Sequence, residues 1–339
     1  MDLSRFLQLT LLLALASITT TAPTSRDERR EPTRITWFGE RPAFSPNGST
    51  LAFMSKSYGD AFSYDIETGR ISLITQYPNQ GYLRVQYMPN GDLFLIGARE
   101  FEDFAITREE DMEMWILKPG SLEPVALGQK IFEGVAISYQ NSHIAWANTA
   151  GQYPDQIAEN ETIIYEADIR YNATGYPSLE NKREVIREYA PECLAEPQDF
   201  RKDDTELIYN CYRITEESRV ADVRGVNVDT GEVTIYRNVS MEYNEVEGIY
   251  PGGEYTTVES AHDQEDPDDN YAIEVWRLKL EPNSQDFVRL TWLSDNPGDK
   301  AGNPVVSPDG KYMSFSLGKA LDEPPGAGYG LFLLELDEP

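Results

Sequence analysis

Glutamates recur in this sequence at a fixed distance before a series of turns. Counting back equally from each turn gives Glu40, Leu83, Glu133, Glu196, Glu245 and Gly302. Two arginines, Arg41 and Arg84, stand beside this position. Carboxylates that converge can bind a cation or a basic ligand, and a crowded carboxyl with a raised pKa can act as a general acid or base. The arginines are the candidates for binding an anionic group.

The same residues also have a purely structural interpretation. Arginine–glutamate pairs around a solvated rim could hold neighbouring repeat units together without binding a ligand. The chain carries a net charge of −29, so a polar, acidic rim is expected on composition alone. The sequence leaves both interpretations open.

A second acidic group follows His262. Its candidate calcium ligands are Asp263, Glu265, Asp266 and Asp268. Carboxylate oxygens are what Ca²⁺ prefers, but the segment lacks the spacing and central glycine of an EF-hand. A solvated acidic loop is therefore the favoured interpretation and calcium the alternative, and no other cofactor is predicted. The chain has only two histidines, His143 and His262, which argues against a histidine-based metal site.

The established catalytic motifs are absent from the sequence. There is no G-x-S-x-G nucleophile motif, no phosphate-binding loop and no dinucleotide-binding motif. Cys193 and Cys211 do not form a C-x-x-C pair but flank one predicted hairpin. We predict a disulfide between them, which would stabilise the fold by roughly 3 kcal/mol.

The turns that define the acidic position belong to six copies of one repeat. The first reads Phe44-Ser45-Pro46-Asn47-Gly48 and the sixth Val306-Ser307-Pro308-Asp309-Gly310. Proline sets φ at the first turn position, and Asn, Asp or Gly accepts the left-handed conformation that follows. Short apolar strands flank each turn, as a hairpin requires. The middle copies turn at Pro89-Asn90-Gly91, Gln140-Asn141, Asp203-Asp204 and Pro251-Gly252-Gly253.

The repeat predicts an all-β fold. A third and usually a fourth strand follow each hairpin, which is typical of four-stranded propeller blades. Two stacked β-sandwiches would need a domain linker, and none is seen in 34–339. The sixth copy ends after its third strand, so residues 34–37 are predicted to supply its fourth strand and close the ring. We therefore predict a single six-bladed β-propeller over 34–339.

The Ser-Pro-Asn-Gly and Ser-Pro-Asp-Gly hairpins, with the Ile35-Thr36 and Leu290-Thr291 strands, resemble the repeats of TolB-like six-bladed β-propellers. The resemblance covers most of 34–339. It implies the fold and a central channel. It implies no single activity, because this fold hosts binding proteins, lyases and the gating domains of peptidases.

The first 22 residues have the features of a secretory signal peptide. Arg5 precedes an apolar run from Phe6 to Ala16, and Ala14-Leu15-Ala16 predicts cleavage near residues 16–22. Residues 23–33 are predicted to be disordered, and no later segment is apolar enough to span a membrane. We therefore predict a secreted, extracellular glycoprotein. The four glycosylation sequons begin at Asn47, Asn160, Asn172 and Asn238.

Two function hypotheses follow. The first is a non-catalytic propeller that binds a small molecule, a carbohydrate or a protein at an acidic channel mouth. The second is a lyase, hydrolase or cyclase that uses Glu40, Glu133, Glu196 or Glu245 as general acid or base. We expect the channel mouth on the face opposite the Ser-Pro-Asn-Gly turns, because the other loops meet there. The acidity argues against nucleic acid as a partner, and a monomer is expected.

Overall fold

Six separate four-stranded antiparallel sheets make up the computed structural model of this protein. The structure describes residues 29–214, 219–263, 272–320 and 326–337. In five sheets the strands follow chain order, and in the sixth the order is closed by a strand from the opposite end of the chain. This is the predicted six-bladed β-propeller, so the predicted fold class is confirmed.

The first three blades comprise twelve strands. They are β2 (Glu40–Phe44), β3 (Thr50–Met54), β4 (Ala61–Asp65) and β5 (Ile71–Leu73); β6 (Tyr82–Tyr87), β7 (Leu93–Ala98), β8 (Met112–Leu117) and β9 (Val125–Lys130); and β10 (Phe132–Ile137), β11 (His143–Thr149), β12 (Glu161–Tyr171) and β13 (Pro177–Tyr189).

The last three blades comprise the other twelve. They are β14 (Leu194–Arg201), β15 (Glu206–Ile214), β16 (Arg219–Asn227) and β17 (Val233–Arg237); β18 (Asn244–Ile249), β19 (Tyr255–Ser260), β20 (Glu274–Lys279) and β21 (Phe287–Arg289); and β22 (Asp299–Val306), β23 (Tyr312–Lys319), β24 (Leu331–Glu335) and β1 (Thr33–Arg34).

Helical structure is confined to short segments between strands. The α-helix α1 (Phe104–Ile106) continues as a π-helical turn over Thr107–Asp111, and Leu293–Asp295 form one turn of 3-10 helix. Asp103 caps α1 by accepting a hydrogen bond from the Ile106 amide at 2.8 Å. The segment places Arg108 at the channel. No helix in the described part of the chain is long and apolar enough to cross a membrane.

The ring closes as predicted, with the closing strand displaced by one residue. Thr33 pairs with Leu333 and Arg34 with Phe332. The contact continues beyond the strand, because the Ile35 amide donates to the Leu331 carbonyl at 2.9 Å. Thr33, which was assigned to the disordered segment, is therefore part of the sixth blade. Because β1 pairs with β24, the third strand of this blade has no unpaired edge. An unpaired edge would invite pairing with other chains.

The two well-formed turns of the repeat are built in the same way. In the first, the Ser45 hydroxyl donates to Asn47 Oδ1 at 2.8 Å, and the Thr50 amide donates to Ser45 Oγ at 3.1 Å. In the sixth, Ser307 donates to Asp309 Oδ1 at 2.7 Å, and the Tyr312 amide donates to Ser307 Oγ at 3.0 Å. The serine thus accepts a hydrogen bond from a backbone amide of the hairpin, and the Asn or Asp side chain holds the serine hydroxyl in place.

Apolar side chains between adjacent blades form the core. The largest cluster joins blades 2 and 3 around Phe94, Met114 and Trp146, and a second joins blades 3 and 4 around Phe200 and Tyr209. Each large apolar side chain buried in this way stabilises the fold by about 1.5–3 kcal/mol. Blade-to-blade packing therefore holds rigid the strands that surround the channel.

Every inner strand, the first of its blade, contains one β-bulge. The bulges lie at Glu40/Ala43, Tyr82/Arg84, Phe132/Val135, Pro197/Asp199, Val246/Ile249 and Gly302/Val305. A bulge adds a residue to one strand and re-aims the side chains around it. Arg41, Glu133 and Asn303 adopt positive φ values of 50–52° at their bulges, a conformation that costs roughly 1–2 kcal/mol for a residue other than glycine.

The predicted disulfide is present. Cys193 directly precedes β14, Cys211 lies in β15, and their Cα atoms are 4.9 Å apart. The four sequon asparagines, Asn47, Asn160, Asn172 and Asn238, are all exposed. The predicted signal peptide (1–22), residues 23–28 of the segment predicted to be disordered, and the calcium candidates Glu265, Asp266 and Asp268 lie outside the described residues.

Candidate functional site

A cavity of about 530 Å³ occupies the axis of the propeller. Inner strands from all six blades line it, together with their hairpin turns. Its walls include the apolar side chains Ala43, Val85, Ile249, Val305 and Val306. At its deep end lie the charged residues Arg41, Arg84 and Glu247. A volume of this size and a mostly apolar wall with a few polar groups are typical of small-molecule sites.

The cavity lies on the hairpin-turn side of the channel, not on the side where we expected the mouth. Pro46, Pro89, Pro251 and Pro308, one from each of four turns, are among its lining residues. The repeated turns therefore do more than reverse the chain, because they form the rim of the cavity. Both predicted ligand-binding arginines reach it, whereas Glu40, Glu133, Glu196 and Glu245 are not among its lining residues.

Arginine–glutamate pairs cross the channel at the predicted mouth. Arg41 of blade 1 lies 3.5 Å from Glu133 of blade 3, and Arg108 forms an ion pair with the same carboxylate. Arg84 of blade 2 lies 3.8 Å from Glu196 of blade 4. Burial, with Arg41 next in effect, lowers the pKa of Arg108 to about 10. The predicted residues thus converge, and the pairs connect non-adjacent blades, whereas the structural interpretation expected them between neighbouring ones.

Glu40 is held apart from this set. The Ser57 hydroxyl donates to its Oε1 at 2.7 Å, and Arg41 Nε lies 3.9 Å from the same oxygen. With 7% of its surface exposed, Glu40 is nearly buried. These contacts tie the inner strand of blade 1 to its own second-to-third loop.

Tyr212 lies between two of the predicted glutamates. Its hydroxyl is 2.9 Å from Glu196 Oε2 and 2.5 Å from Glu245 Oε1. A hydroxyl carries a single proton, so both contacts are hydrogen bonds only when one carboxyl is itself protonated. Burial, despite the opposing charge of Arg84, raises the pKa of Glu196 to about 7. Glu196 therefore keeps its proton up to near neutral pH.

Two further carboxylates converge beside this pair. Glu245, Glu247 and Glu259 each offer an oxygen within 4.8 Å of the others. Tyr243 donates a hydrogen bond to Glu245, and the Asn303 amide donates to Glu259 at 2.5 Å. Burial raises the pKa of Glu247 well above its usual value, and burial with the charge of Glu245 raises that of Glu259 to about 7.

Several polar atoms at the deep end of the cavity are buried without a hydrogen bond. They are Arg41 Nη1, Arg84 Nε, Gln86 Oε1 and Gln198 Nε2. All four residues line the cavity. A buried polar atom left unpaired costs about 1–3 kcal/mol, and native structures rarely tolerate a group of them. All four belong to residues that line one cavity, so the described part of the fold leaves several polar groups of this wall without a partner.

A fifth carboxylate lies nearer the rim. Asp199 accepts hydrogen bonds from the Tyr139 hydroxyl at 2.7 Å and the Ile249 amide at 3.2 Å. Burial raises the pKa of Asp199 to about 7. Because Tyr139 belongs to the turn of blade 3 and Asp199 to the inner strand of blade 4, this contact joins two blades at the cavity wall.

The histidines lie away from the cavity. His143 bridges two carboxylates, with Nδ1 3.0 Å from Asp168 and Nε2 3.2 Å from Glu166. His262 lies 2.7 Å from Glu242. Asp263, the described member of the calcium candidates, forms an ion pair with Arg289 at 3.2 Å. Neither histidine belongs to the metal-ligand cluster found among the described residues.

Sequence reasoning missed Glu247, Glu259, Gln198 and Arg108. Glu247 and Gln198 lie in or beside the bulges of their inner strands, where a count along a regular strand points to the wrong side chain. Glu259 is on a second strand, and Arg108 is on a loop helix outside the repeat. For Glu247, the sequence offered one signal, the cluster of Glu242, Glu245 and Glu247.

The chain was compared with known proteins. No protein family and no curated protein matches it by sequence. Among solved structures, a putative TolB from Agrobacterium tumefaciens matches with a TM-score of 0.53 at 15% identity, covering 77% of this chain and 78% of that one. The calcium-binding protein regucalcin from A. tumefaciens matches with a TM-score of 0.53 at 11% identity, covering 90% and 94%.

A further match is hydrazine synthase from Kuenenia stuttgartiensis, with a TM-score of 0.50 at 16% identity, covering 84% of this chain and 78% of that one. At these identities the similarity concerns the fold alone. The predicted resemblance to TolB-like six-bladed propellers is confirmed at that level. The roles of these proteins differ, so the fold does not select a function.

Proposed function

We propose that this protein is a binding propeller that takes a small polar molecule into its central cavity from the hairpin-turn face. The observation that carries the proposal is a group of buried polar atoms without a hydrogen bond, on Arg41, Arg84, Gln86 and Gln198, four residues that all line this cavity. A ligand with several hydrogen-bonding groups, such as an acidic sugar or a hydroxy acid, would satisfy them. Arg84 and Arg41 would bind its anionic group.

The shape of the site favours a small molecule over a protein partner. The polar groups lie at the deep end of the cavity, behind the ring of turns, where the flat surface of a folded protein does not reach. Protein interfaces bury about 800 Å² per partner over a broad surface, whereas small ligands occupy cavities of about 300–1,000 Å³. The cavity of about 530 Å³ falls in the second class.

Gln198 offers a clean test. Its Nε2 has no hydrogen-bond partner, so Gln198→Leu removes a donor for the ligand without breaking a contact in the fold. We expect ligands found by a thermal-shift screen of neutral sugars, acidic sugars and hydroxy acids to bind Gln198→Leu about tenfold more weakly, the loss of one hydrogen bond. The control is Gln285→Leu, an exposed position outside the cavity. Equal affinity of Gln198→Leu and wild type would contradict the proposal.

An enzyme remains the second candidate function, favoured by one observation. Glu196, with a pKa of about 7 and Arg84 beside it, has the protonation behaviour of a general acid or base. It ranks second because Glu196 is not among the residues that line the cavity. Turnover of a bound ligand that Glu196→Gln abolishes while binding persists would favour this function instead.

We also propose that the protein is secreted and glycosylated. The predicted signal peptide, the Cys193–Cys211 disulfide and the exposed sequons support this. Asn47 lies in the turn next to Pro46 on the cavity rim, so a glycan there would border the opening without entering it.

A further inference from the structure

One carboxylate at the deep end of the cavity is unlike the others. Glu247 has only 8% of its surface exposed, and it makes no hydrogen bond or ion pair with any residue that the structure describes. Glu245 and Glu259, in contrast, each accept hydrogen bonds from neighbouring groups. A buried carboxylate without a partner is disfavoured in its charged form, and a bound cation would stabilise that form of Glu247.

The geometry around Glu247 fits a single ion. Three oxygens no more than 4.8 Å apart can surround an ion at no more than about 2.8 Å from each, and a small contraction gives the roughly 2.3–2.6 Å of Ca²⁺–oxygen bonds. Mg²⁺, at about 2.0–2.1 Å, would require a larger contraction. The cavity next to Glu247 leaves room for water to complete the coordination.

Neighbouring groups hold two of the ligands in place. Tyr243 and Tyr212 donate to Glu245, and the Asn303 amide donates to Glu259. Such contacts orient the ligands of a metal site from outside its coordination sphere. The two strands that supply the glutamates, β18 and β19, are paired through Glu245 and Glu259 themselves. The site is therefore built on rigid structure.

The charge balance also favours a cation. Around the channel, four basic residues accompany six glutamates: Arg41, Arg84, Arg108 and Lys300, with Glu40, Glu133, Glu196, Glu245, Glu247 and Glu259. The arginines pair with Glu40, Glu133 and Glu196. Among the described residues, no basic side chain lies within ion-pair distance of Glu245, Glu247 or Glu259.

We infer that Glu245, Glu247 and Glu259 bind one hard divalent cation, with Ca²⁺ preferred over Mg²⁺, at the deep end of the propeller cavity. The ligand set contains only oxygen, which suits these ions and not the softer transition metals. The bound ion would lie beside Arg84 and Arg41, so it would also shape the polar end of the cavity.

Calcium titration of chelator-treated protein tests the inference directly. We expect isothermal titration calorimetry with CaCl₂ to show one ion per chain, a thermal shift on binding, and weaker binding of MgCl₂. Glu247→Gln should fold at least as well as wild type in EDTA, because the carboxyl that it replaces has no partner in the described part of the fold, and should bind Ca²⁺ at least tenfold more weakly. Glu259→Gln should also bind Ca²⁺ at least tenfold more weakly. The control, Glu232→Gln, changes an exposed carboxylate in the turn between β16 and β17 and should bind as wild type.

Two results would overturn the inference. The first is no binding by wild type up to about 10 mM CaCl₂, above the roughly 10⁻³ M dissociation constants of the weakest extracellular calcium modules. The second is undiminished binding by Glu247→Gln, which would place the ion elsewhere. The titrations contain no organic ligand, and Gln198→Leu should bind Ca²⁺ as wild type. Failure of the cation site is thus separable from failure of the proposed function.

Discussion

At the scale of single residues, burial determines what the carboxylates of this protein do. Glu133 is neutralised by Arg41 and Arg108, whereas Glu196 shares a tyrosine with Glu245 and has a pKa of about 7. Glu247 lacks both kinds of partner. The same residue type thus serves as a cross-blade tie, as a proton-holding group and as a candidate ligand, according to its neighbours.

His143 makes the stability of the fold depend on pH. Burial alone would lower its pKa, but hydrogen bonds from the ring to Glu166 and Asp168 raise the pKa above its ordinary value. The stabilisation is fully present below pH 6.5 and is lost as pH rises through the raised pKa. We expect the difference in unfolding free energy between wild type and His143→Gln to shrink by up to about 1 kcal/mol as pH rises from 6 to 9, with screening reducing the effect.

Urea denaturation at a series of pH values measures this difference. Asp199, Glu196 and Glu259 have pKa values of about 7, so they also change the stability between pH 6 and 9. Because both proteins contain them, their contributions cancel in the difference between the unfolding free energies of wild type and His143→Gln. A difference that stays constant, or grows, between pH 6 and 9 would show that folding does not raise the pKa of His143.

The sequence predicted which residue types meet at the channel, but not all of the residues that form the site. Equal spacing before each turn located Arg41, Arg84, Glu133, Glu196 and Glu245, since the repeat fixes that spacing. Glu247 and Gln198 were missed because bulges interrupt the alternation of side chains in their strands. Alternation can be read from a sequence, whereas a bulge depends on how neighbouring blades pack.

At the scale of elements, the hairpin turns and the loops that enter the inner strands differ in how much space surrounds their glycines. Gly91, in the turn of blade 2, has φ +86° and open space where a Cβ would lie. Gly81, which precedes the inner strand of the same blade, has φ +88°, but a Cβ there would lie 2.1 Å from the Tyr58 carbonyl oxygen. The φ angle is thus nearly equal at the two positions, whereas the space available for a Cβ differs.

Alanine substitutions at these glycines separate the two effects. Gly91→Ala should destabilise by about 1–2 kcal/mol, the cost of a left-handed backbone with a Cβ. Gly81→Ala should cost roughly 2 kcal/mol more, since backbone atoms of the neighbouring loop must move to relieve the clash. Urea denaturation with the disulfide intact measures both. Equal losses would mean that the Tyr58 loop yields freely and does not fix the inner strand.

The repeat made the strands and turns predictable, but not the end of the channel at which the cavity lies. Long loops after the second strands suggested the opposite face. In the structure, Arg108 on the loop helix pairs with Glu133 at that face, while Pro46, Pro89, Pro251 and Pro308 border the cavity. Loop length indicates where function is often found, but the side chains that close a channel become visible only once the blades are assembled.

At the scale of the whole molecule, ring closure and channel chemistry depend on each other. The β1–β24 pairing fixes the sixth blade, and the Arg41 amide then donates to Ser316 of that blade at 3.0 Å. Arg41 and Arg84 in turn reach glutamates on blades 3 and 4. The acidic channel is therefore a product of the closed ring, and the ring is braced by the pairs that cross it.

The central claim is that this closed ring binds a small polar ligand from its hairpin-turn face. A crystal structure with a ligand identified by the thermal-shift screen tests it most directly. The account predicts that the ligand lies among the turns, with polar atoms within hydrogen-bond distance of Arg84 and Gln198. A ligand bound at the opposite face, among the loops that follow the second strands, with only water beside Arg84 and Gln198, would contradict it.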